Sequence, residues 1–204
     1  MGLFSKLFEK RNLSVTDPKA WNPGLWNLYG AQTTSGATVN EENALTSAAV
    51  YNAISLISGT VGSLPLHLMQ RRGPGTSIET NRQLYYLLHS ACNAEMTAMA
   101  LRETMTAHLL AWGNCFAEKV YDGEGNIIAL WPIPPNKVRI DRKNGELIYY
   151  VTVNSEEIPL RRDRMLHIPG LGFDGLQGYS VITLARESIG LGMAMEEFGA
   201  RWFG

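Results

Sequence analysis

The stretch 97–140 constrains this chain most, because it couples a helix to a pair of strands with almost no slack between them. Leu101, Met105, Leu109 and Trp112 recur at the three-and-four spacing that lines one helical face. Thr97 stands where a side chain can accept from the first free N–H groups, and Gly113 where a left-handed residue ends a helix. Residues 115–120 and 127–131 are β-branched, aromatic or alternating, and Asp122-Gly-Glu-Gly-Asn126 between them is built of turn formers, so a hairpin is predicted. The prolines of Trp131-Pro-Ile-Pro-Pro135 cannot donate to a ladder, which puts this run at a sheet edge or in a rigid crossing before 137–140 resumes an extended path.

Around this unit the chain alternates helical and extended patterns. Residues 1–11 set Leu3, Phe4, Leu7 and Phe8 on one helical side with Lys6, Lys10 and Arg11 elsewhere, a pattern that docks on a partner or lies on a membrane surface. Lys6 occupies the position where a myristoylation signal needs Ser or Thr, so no lipid is expected. Residues 12–39, with Pro18, Pro23 and Thr33-Thr-Ser-Gly36, read as an extended, mobile linker whose Trp21 and Trp26 need a surface to lie against. A helix is predicted from Asn40 as its cap, with Glu41 and Glu42 in the first turn, an apolar stripe of Val50, Ile54, Ile57 and Val61, and a stop at Gly62-Ser-Leu-Pro65. Small residues such as Ala53, Ser55 and Gly59 let a neighbour approach it closely.

A strand over 66–70, a turn or loop over 71–80 and a short helix over 81–90 follow, then strands over 146–153 and 165–168. The last helix, 180–203, carries Leu184, Ser188, Leu191, Met195, Phe198 and Trp202 at alternating four and three, a near-heptad seam suited to another helix. The helix at 97–112 or a neighbouring subunit is its expected partner, the first of which would make Phe198 a core residue. The fold class is α+β: small, mostly antiparallel sheets and hairpins packed against several helices.

Composition narrows the function classes. The 204 residues are 45% hydrophobic and 18% charged, enough for one sizeable core or two small ones, and the net charge of −1 lacks the basic excess that supplies sequence-independent nucleic-acid affinity. No apolar run reaches the ~18 residues of a membrane span, and residues 1–11 lack the features of a secretory signal. The 2 Cys and the 4 His, at 67, 89, 108 and 167, form no pair at metal-ligand spacing and read as structural, in a soluble protein of a reducing compartment.

Three patterns suggest an enzyme, and each breaks at a mechanistic requirement. Gly170-Leu-Gly-Phe-Asp-Gly175 follows a strand and matches a dinucleotide fingerprint, but no helix opens at the glycines and the acids about 20 residues on, Glu196 and Glu197, fall inside a helix. Gly178-Tyr-Ser-Val-Ile182 resembles a nucleophile elbow except at Ile182, where glycine is needed, so Ser180 reads as a helix cap. Glu187, Glu196 and Glu197 have no partner at a defined spacing and read as solvated or inter-subunit carboxylates. There is no phosphate-binding Gly-x-x-x-x-Gly-Lys loop, so the chain is not itself a nucleotide-driven motor. The basic stretch of Lys137, Arg139, Arg142, Lys143 and Arg161-Arg-Asp-Arg164 reads as a solvated sheet face, with a DNA-facing or carboxylate-pairing surface as the sharper alternative. No catalytic, cofactor-binding or metal residue is assigned.

From about Glu41 to Phe203 the ordered motifs resemble the N-terminal half of tailed-bacteriophage portal proteins. They are Val50-Tyr-Asn-Ala with Ser63-Leu-Pro-Leu66, Leu84-Tyr85 with Leu87-Leu88, Gly113-Asn114 before Phe116-Ala117, and Leu130-Trp-Pro-Ile-Pro-Pro with Val138. Most specific are His167-Ile168, Asp174-Gly-Leu-Gln-Gly-Tyr-Ser180 and Ala185-Arg-Glu-Ser-Ile-Gly-Leu191. Cys92 and Val181 depart from the pattern, which often has proline there. The resemblance implies a structural, non-enzymatic subunit of a homo-oligomeric ring, typically a dodecamer, at the portal vertex of a virion assembled in the host cytoplasm or encoded by a prophage. A terminase drives double-stranded DNA through such a ring without sequence specificity, and scaffold, capsid and head-tail adaptor proteins meet it. No cofactor or small-molecule substrate is implied. On this reading residues 1–40 are an arm and linker, and 41–204 a wing-like α+β domain truncated before the stem, clip and crown segments. The rival readings are a generic interaction or peripheral membrane module docking through Leu3, Phe4, Leu7 and Phe8, and a nucleotide-binding enzyme using Gly170–Gly175.

Overall fold

A computed structural model describes residues 33–143, 145–172 and 174–203. The readings of Leu3, Phe4, Leu7, Phe8, Trp21 and Trp26 lie outside the described residues. Of the 12–39 segment the described part is held by the core, with Thr33 and Val39 both buried.

The helix expected from Asn40 begins later. The Asn40 side chain accepts from the N–H groups of Glu42 and Asn43 at 3.0 and 2.7 Å, and Asn43 answers by accepting from the Asn40 N–H. This reciprocal pair closes a 3-10 turn, Asn43–Thr46, and extended Ser47 separates it from helix α1, Ala48–Ser63. Side chains that satisfy the backbone locally compete with helix propagation, so Asn40 caps a turn and not α1. Within α1 only the first half of the expected stripe meets the core, through Val50 and Ile54. Ile57 and Val61 are exposed, and the fully buried residues are Ser58 and Gly62.

The run over 66–78 is a hairpin, β1 (Met69–Arg72) with β2 (Gly75–Ile78), where a strand and a loop are expected. Gly73, at φ +60°, makes its two-residue turn with Pro74. Helix α2, Gln83–His89, leads to helix α3, Ala98–Trp112, whose ends follow the sequence: Thr97 accepts from the Ala100 N–H at 3.1 Å and Gly113 closes the helix at φ +75°. Strands β3 (Asn114–Tyr121) and β4 (Ile127–Ile133) form the predicted hairpin.

Strand β8, Met165–Pro169, pairs on the other side of β3, so the sheet order is β4-β3-β8 and proline-bearing β4 stands at an edge. That edge is partly covered: the Leu130 N–H donates to Cys92 O, and Asn93 Nδ2 to Leu130 O. A second sheet comprises β5 (Val138–Lys143), β6 (Glu146–Val153) and β7 (Glu156–Arg161), all antiparallel. Strand β7 is missed by the sequence because Glu156, Glu157 and Pro159 weigh against a strand; an edge position tolerates all three.

Successive residues of β3 face opposite ways and join different cores. Cys115 and Ala117 pack with Leu101 and Met105 of α3, while Phe116 between them packs with Ile140, Tyr149, Val151 and Met165. Helix, first sheet and second sheet are thus three layers, with β3 in the middle.

The final helical segment is broken at Ala185 into α4, Val181–Leu184, and α5, Arg186–Phe203. Its seam does not pack on α3. Leu191, Met195, Phe198 and Trp202 are 56%, 66%, 68% and 74% exposed, so Phe198 is not a core residue of this chain. The face that does pack is the other one: Ile189 and Met193 meet Val39, Ala44 and Ile182, and Gly190 admits the Thr33 side chain.

One residue joins three helices. The Arg102 guanidinium on α3 donates to Gly62 O at the end of α1, from Nη2 at 2.9 Å and Nε at 3.2 Å, and from Nη1 to Leu88 O at the end of α2 at 2.8 Å. Helix C-termini leave carbonyls without partners and carry partial negative charge, so one cation answers both needs. Gly62 makes the approach feasible, since a Cβ there would sit 3.0 Å from the Glu103 Cβ. Arg102→Ala should therefore lower stability by about 2–3 kcal/mol in urea unfolding. A loss under about 0.5 kcal/mol, the level of an ordinary surface change, would contradict this role.

Candidate functional site

The glycine-rich loop after β8 is gathered against the end of α3. Gly170 N–H donates to Gly113 O at 2.8 Å, and a Cβ on Gly113 or Gly178 would lie inside the backbone of the other segment. Gly170 and Gly178 serve this backbone contact, Gly172 lets the loop pass close to Gln177, and Gly175 takes a left-handed turn at φ +65°. Helix α4 starts only at Val181 and the sheet beside the loop is antiparallel, so the dinucleotide reading of Gly170–Gly175 does not hold.

The Asn114 amide stitches the two segments together. Its Oδ1 accepts from the Gly178 N–H at 3.0 Å and its Nδ2 donates to Gly178 O at 3.0 Å. The same Oδ1 lies 3.2 Å from His167 Nε2, and His167 Nδ1 lies 3.3 Å from the Tyr149 hydroxyl. A carbonyl oxygen only accepts, so Nε2 carries the proton and Nδ1 accepts from Tyr149. Phe116 stacks on the imidazole at 4.5 Å between centroids. Burial pushes His167 down to about 4, a shift that nearby Asp174 opposes, and burial raises the Tyr149 phenol. The ring is neutral and hydrogen-bonded at both nitrogens.

Ser180, the apparent nucleophile of an elbow, is likewise committed. Its Oγ donates to Ala111 O at 2.6 Å and accepts from the Thr183 N–H at 3.0 Å, capping α4 as expected. Glu187 accepts from the Thr34 N–H and Glu197 pairs with Arg201, so the three acids of the last helix are not brought together.

Beside the Tyr149–His167 pair a groove of about 990 Å³ opens between the two sheets. Lys119, Arg142, Arg161 and Arg162 line it, with Glu146, Asp163 and Asp174 interspersed. Asp174 is occupied by the N–H groups of Leu176 and Gln177, and Arg161 stands 3.5 Å from Asp163. Arg139 lies outside the groove on the second sheet, bridging Asp141 and Glu157 at 2.8 Å each over the Tyr150 ring. Of the basic stretch, Arg139 thus joins a cross-strand ion network, while Arg142, Arg161 and Arg162 line a mixed-charge groove.

Cys92 and Cys115 are free and buried, with burial pushing the Cys115 thiol up to about 11. His67 and His89 stack at 5.4 Å, with Tyr85 5.0 Å from His89. His108 sits edge-on to Trp112 and is pushed down by burial. Among the described residues no group of three or more His, Cys, Asp or Glu is placed to hold a metal, and no helix is long and apolar enough to cross a membrane.

Residues 48–204 match the family model described as phage portal protein. The chain is 33% identical to the probable portal protein of Streptomyces phage phiC31 over 100% of its own length and 48% of that protein. It is 29% identical to the portal protein of Enterobacteria phage HK97, covering 79% of the chain and 38% of the relative. The chain thus spans half or less of the length of these relatives. Among solved structures, the neck of an empty GTA particle is similar in fold, with a TM-score of 0.68 at 18% identity over 76% of this chain and 43% of that one.

Removal of the Asn114 amide orphans three polar partners, so Asn114→Ala should cost about 2–4 kcal/mol by thermal or urea unfolding; a variant as stable as the parent would refute the stitching role. The depressed His167 also sets a sign for pH. Because the unfolded state binds the proton more readily, His167's contribution is complete above about pH 6.5 and is lost as pH falls toward about 4. After solvent screening of the half-buried ring this loss is about 1–2 kcal/mol. His167→Gln should flatten the stability profile between those pH values, leaving the smaller slope of His108; an unchanged slope would exclude His167 as its source.

Proposed function

This chain belongs to the phage portal protein family, and we propose on that premise that it is a structural subunit of the ring at one capsid vertex, through which the genome is packaged and later released. The observation that carries the reading is the family match over residues 48–204. The geometry supports it in two ways. The polar groups that could suggest catalysis, Ser180, His167 and Asn114, are committed to joining α3, β3, β8 and α4. The outer faces of α1 and α5 meanwhile expose large apolar side chains suited to contacts between copies.

On this reading residues 41–204 are the wing-like part of the subunit, and its role is geometric and not enzymatic. Stem, clip and crown segments of a complete portal line the channel. The ring is twelvefold in the family's usual form, with terminase, scaffold or capsid, and head-tail adaptor as its protein partners in the virion. Double-stranded DNA passes without sequence readout. A net charge of −1 suits such passage, because phosphate binding through many cations would have to be broken at each step.

Negative-stain electron microscopy of the concentrated protein tests the proposal. Rings with a central hole wide enough for a DNA duplex are expected, and a preparation holding only monomers or closed dimers would overturn it.

A further inference from the structure

Strand β8 is an edge of the first sheet, and the groove beside Tyr149 and His167 runs along it. The hydrogen bonds at the two ends of its pairing with β3 fix which backbone groups point into that groove. Gly170 N–H donates to Gly113 O and Lys119 N–H to Arg164 O, both at 2.8 Å, in the register that sets Cys115 opposite Ile168. Antiparallel ladders alternate, so Arg164, Leu166 and Ile168 turn their N–H and C=O groups toward β3. Met165, His167 and Pro169 turn theirs away from it, and all three line the groove. The Met165 N–H is taken by Arg162 O at 3.3 Å, and Pro169 has no N–H. That leaves the His167 N–H and the carbonyls of Met165, His167 and Pro169, none of which has a hydrogen-bond partner among the described residues. Such a row is a template on which a further strand can form.

The charges on the walls restrict what that strand can be. Asp174 is held by the N–H groups of Leu176 and Gln177, and Asp163 stands 3.5 Å from Arg161. Lys119, Arg142 and Arg162 then outnumber the one remaining acid of the lining, Glu146. An anionic ligand is favoured, but a nucleic-acid backbone supplies phosphate acceptors and no donors for three carbonyls. An extended peptide supplies both, and its alternate side chains fall on one face, where carboxylates can meet the cations. Residues 1–32 of this chain carry four cations and two acids, the wrong sign for the groove.

We propose that the free edge of β8 takes an extended, acidic segment of another protein as the fourth strand of the first sheet. Main-chain bonds to His167 give the register, and Lys119, Arg142 and Arg162 select for carboxylates. This site does not depend on the ring reading given above, because it lies within one copy.

Fluorescence anisotropy with a fluorescein-labelled seven-residue peptide of alternating Val and Glu tests it. Saturable binding is expected, with none for the same peptide carrying Lys in place of Glu. N-methylation of alternate residues along one edge of the peptide should abolish binding and along the other edge should not, since only one edge meets β8. Arg162→Glu, its fold checked by circular dichroism, should weaken binding about tenfold or more. Absence of binding, indifference to N-methylation, unchanged affinity of the variant, or equally tight binding of a seven-nucleotide oligothymidylate would each overturn the proposal. Hydrogen exchange at the His167 amide, read by NMR, identifies any other occupant. Exchange should be fast in the free chain at every concentration and slow at least about tenfold with the peptide bound. Protection in the free chain that persists on dilution would mean that its own residues cover the edge. Protection lost on dilution would mean that a second copy does, and either result overturns the proposal.

Discussion

The contact between the Asn114 amide and the Gly178 peptide is the one on which the arrangement of this chain depends. Antiparallel pairing of β3 with β8 brings Gly113 to Gly170, and from there the chain must travel through 171–179 and still deliver Ser180 to the end of α3. A side-chain amide offers a donor and an acceptor on the same plane, which matches the N–H and C=O of the one residue Gly178. Asn114 therefore fastens residues 64 positions apart in sequence with two hydrogen bonds. Glycine at 113 and 178 is the steric condition for this contact, and a neutral His167 is its electrostatic complement. A protonated imidazole would have to donate at both nitrogens, although Tyr149 is already placed to donate to one of them.

Much of this architecture can be read from local pattern where local pattern decides. The α3 cap at Thr97, its stop at Gly113 and the hairpin that follows combine periodicity, capping and turn chemistry in agreement, and the structure keeps them within a residue or two. Strand β6 is β-prone throughout and has the predicted bounds. Strand β7 fails because its residues describe a solvated edge, and β-propensity measures fit to a half-buried surface. Asn40 fails for a different reason. Its side chain is a capable cap, but Asn43 three positions on offers it a tighter reciprocal turn, and α1 waits for Ser47.

The candidate site was visible only in fragments. Gly113-Asn114, His167 and Gly178-Tyr-Ser180 stand out individually among the residues that carry the family resemblance, yet no spacing rule says that Asn114 meets both His167 and Gly178. Such contacts arise from strand pairing, which single-sequence periodicity does not encode. The groove lined by Lys119, Arg142, Arg161 and Arg162 has the same origin, since its walls come from β3, β5, β6 and the turn between β7 and β8.

Periodicity was most misleading where it was clearest. The α1 stripe of Val50, Ile54, Ile57 and Val61 and the α5 seam both announce burial, yet Ile57, Val61 and most of the seam face solvent in the isolated chain. The α1–α3 contact instead uses Ser58 and Gly62, because the Arg102 bonds to Gly62 O draw the helices closer than branched side chains permit. An apolar stripe states that a surface will be covered and is silent on whether its own chain covers it. Here the polar network of Asn114, His167 and Tyr149 is buried or half-buried and hydrogen-bonded while large apolar side chains on α1 and α5 are left open. That distribution is costly for a monomer in water and favourable for a subunit, because every apolar area covered by a neighbour adds to the stability of the fold that presents it.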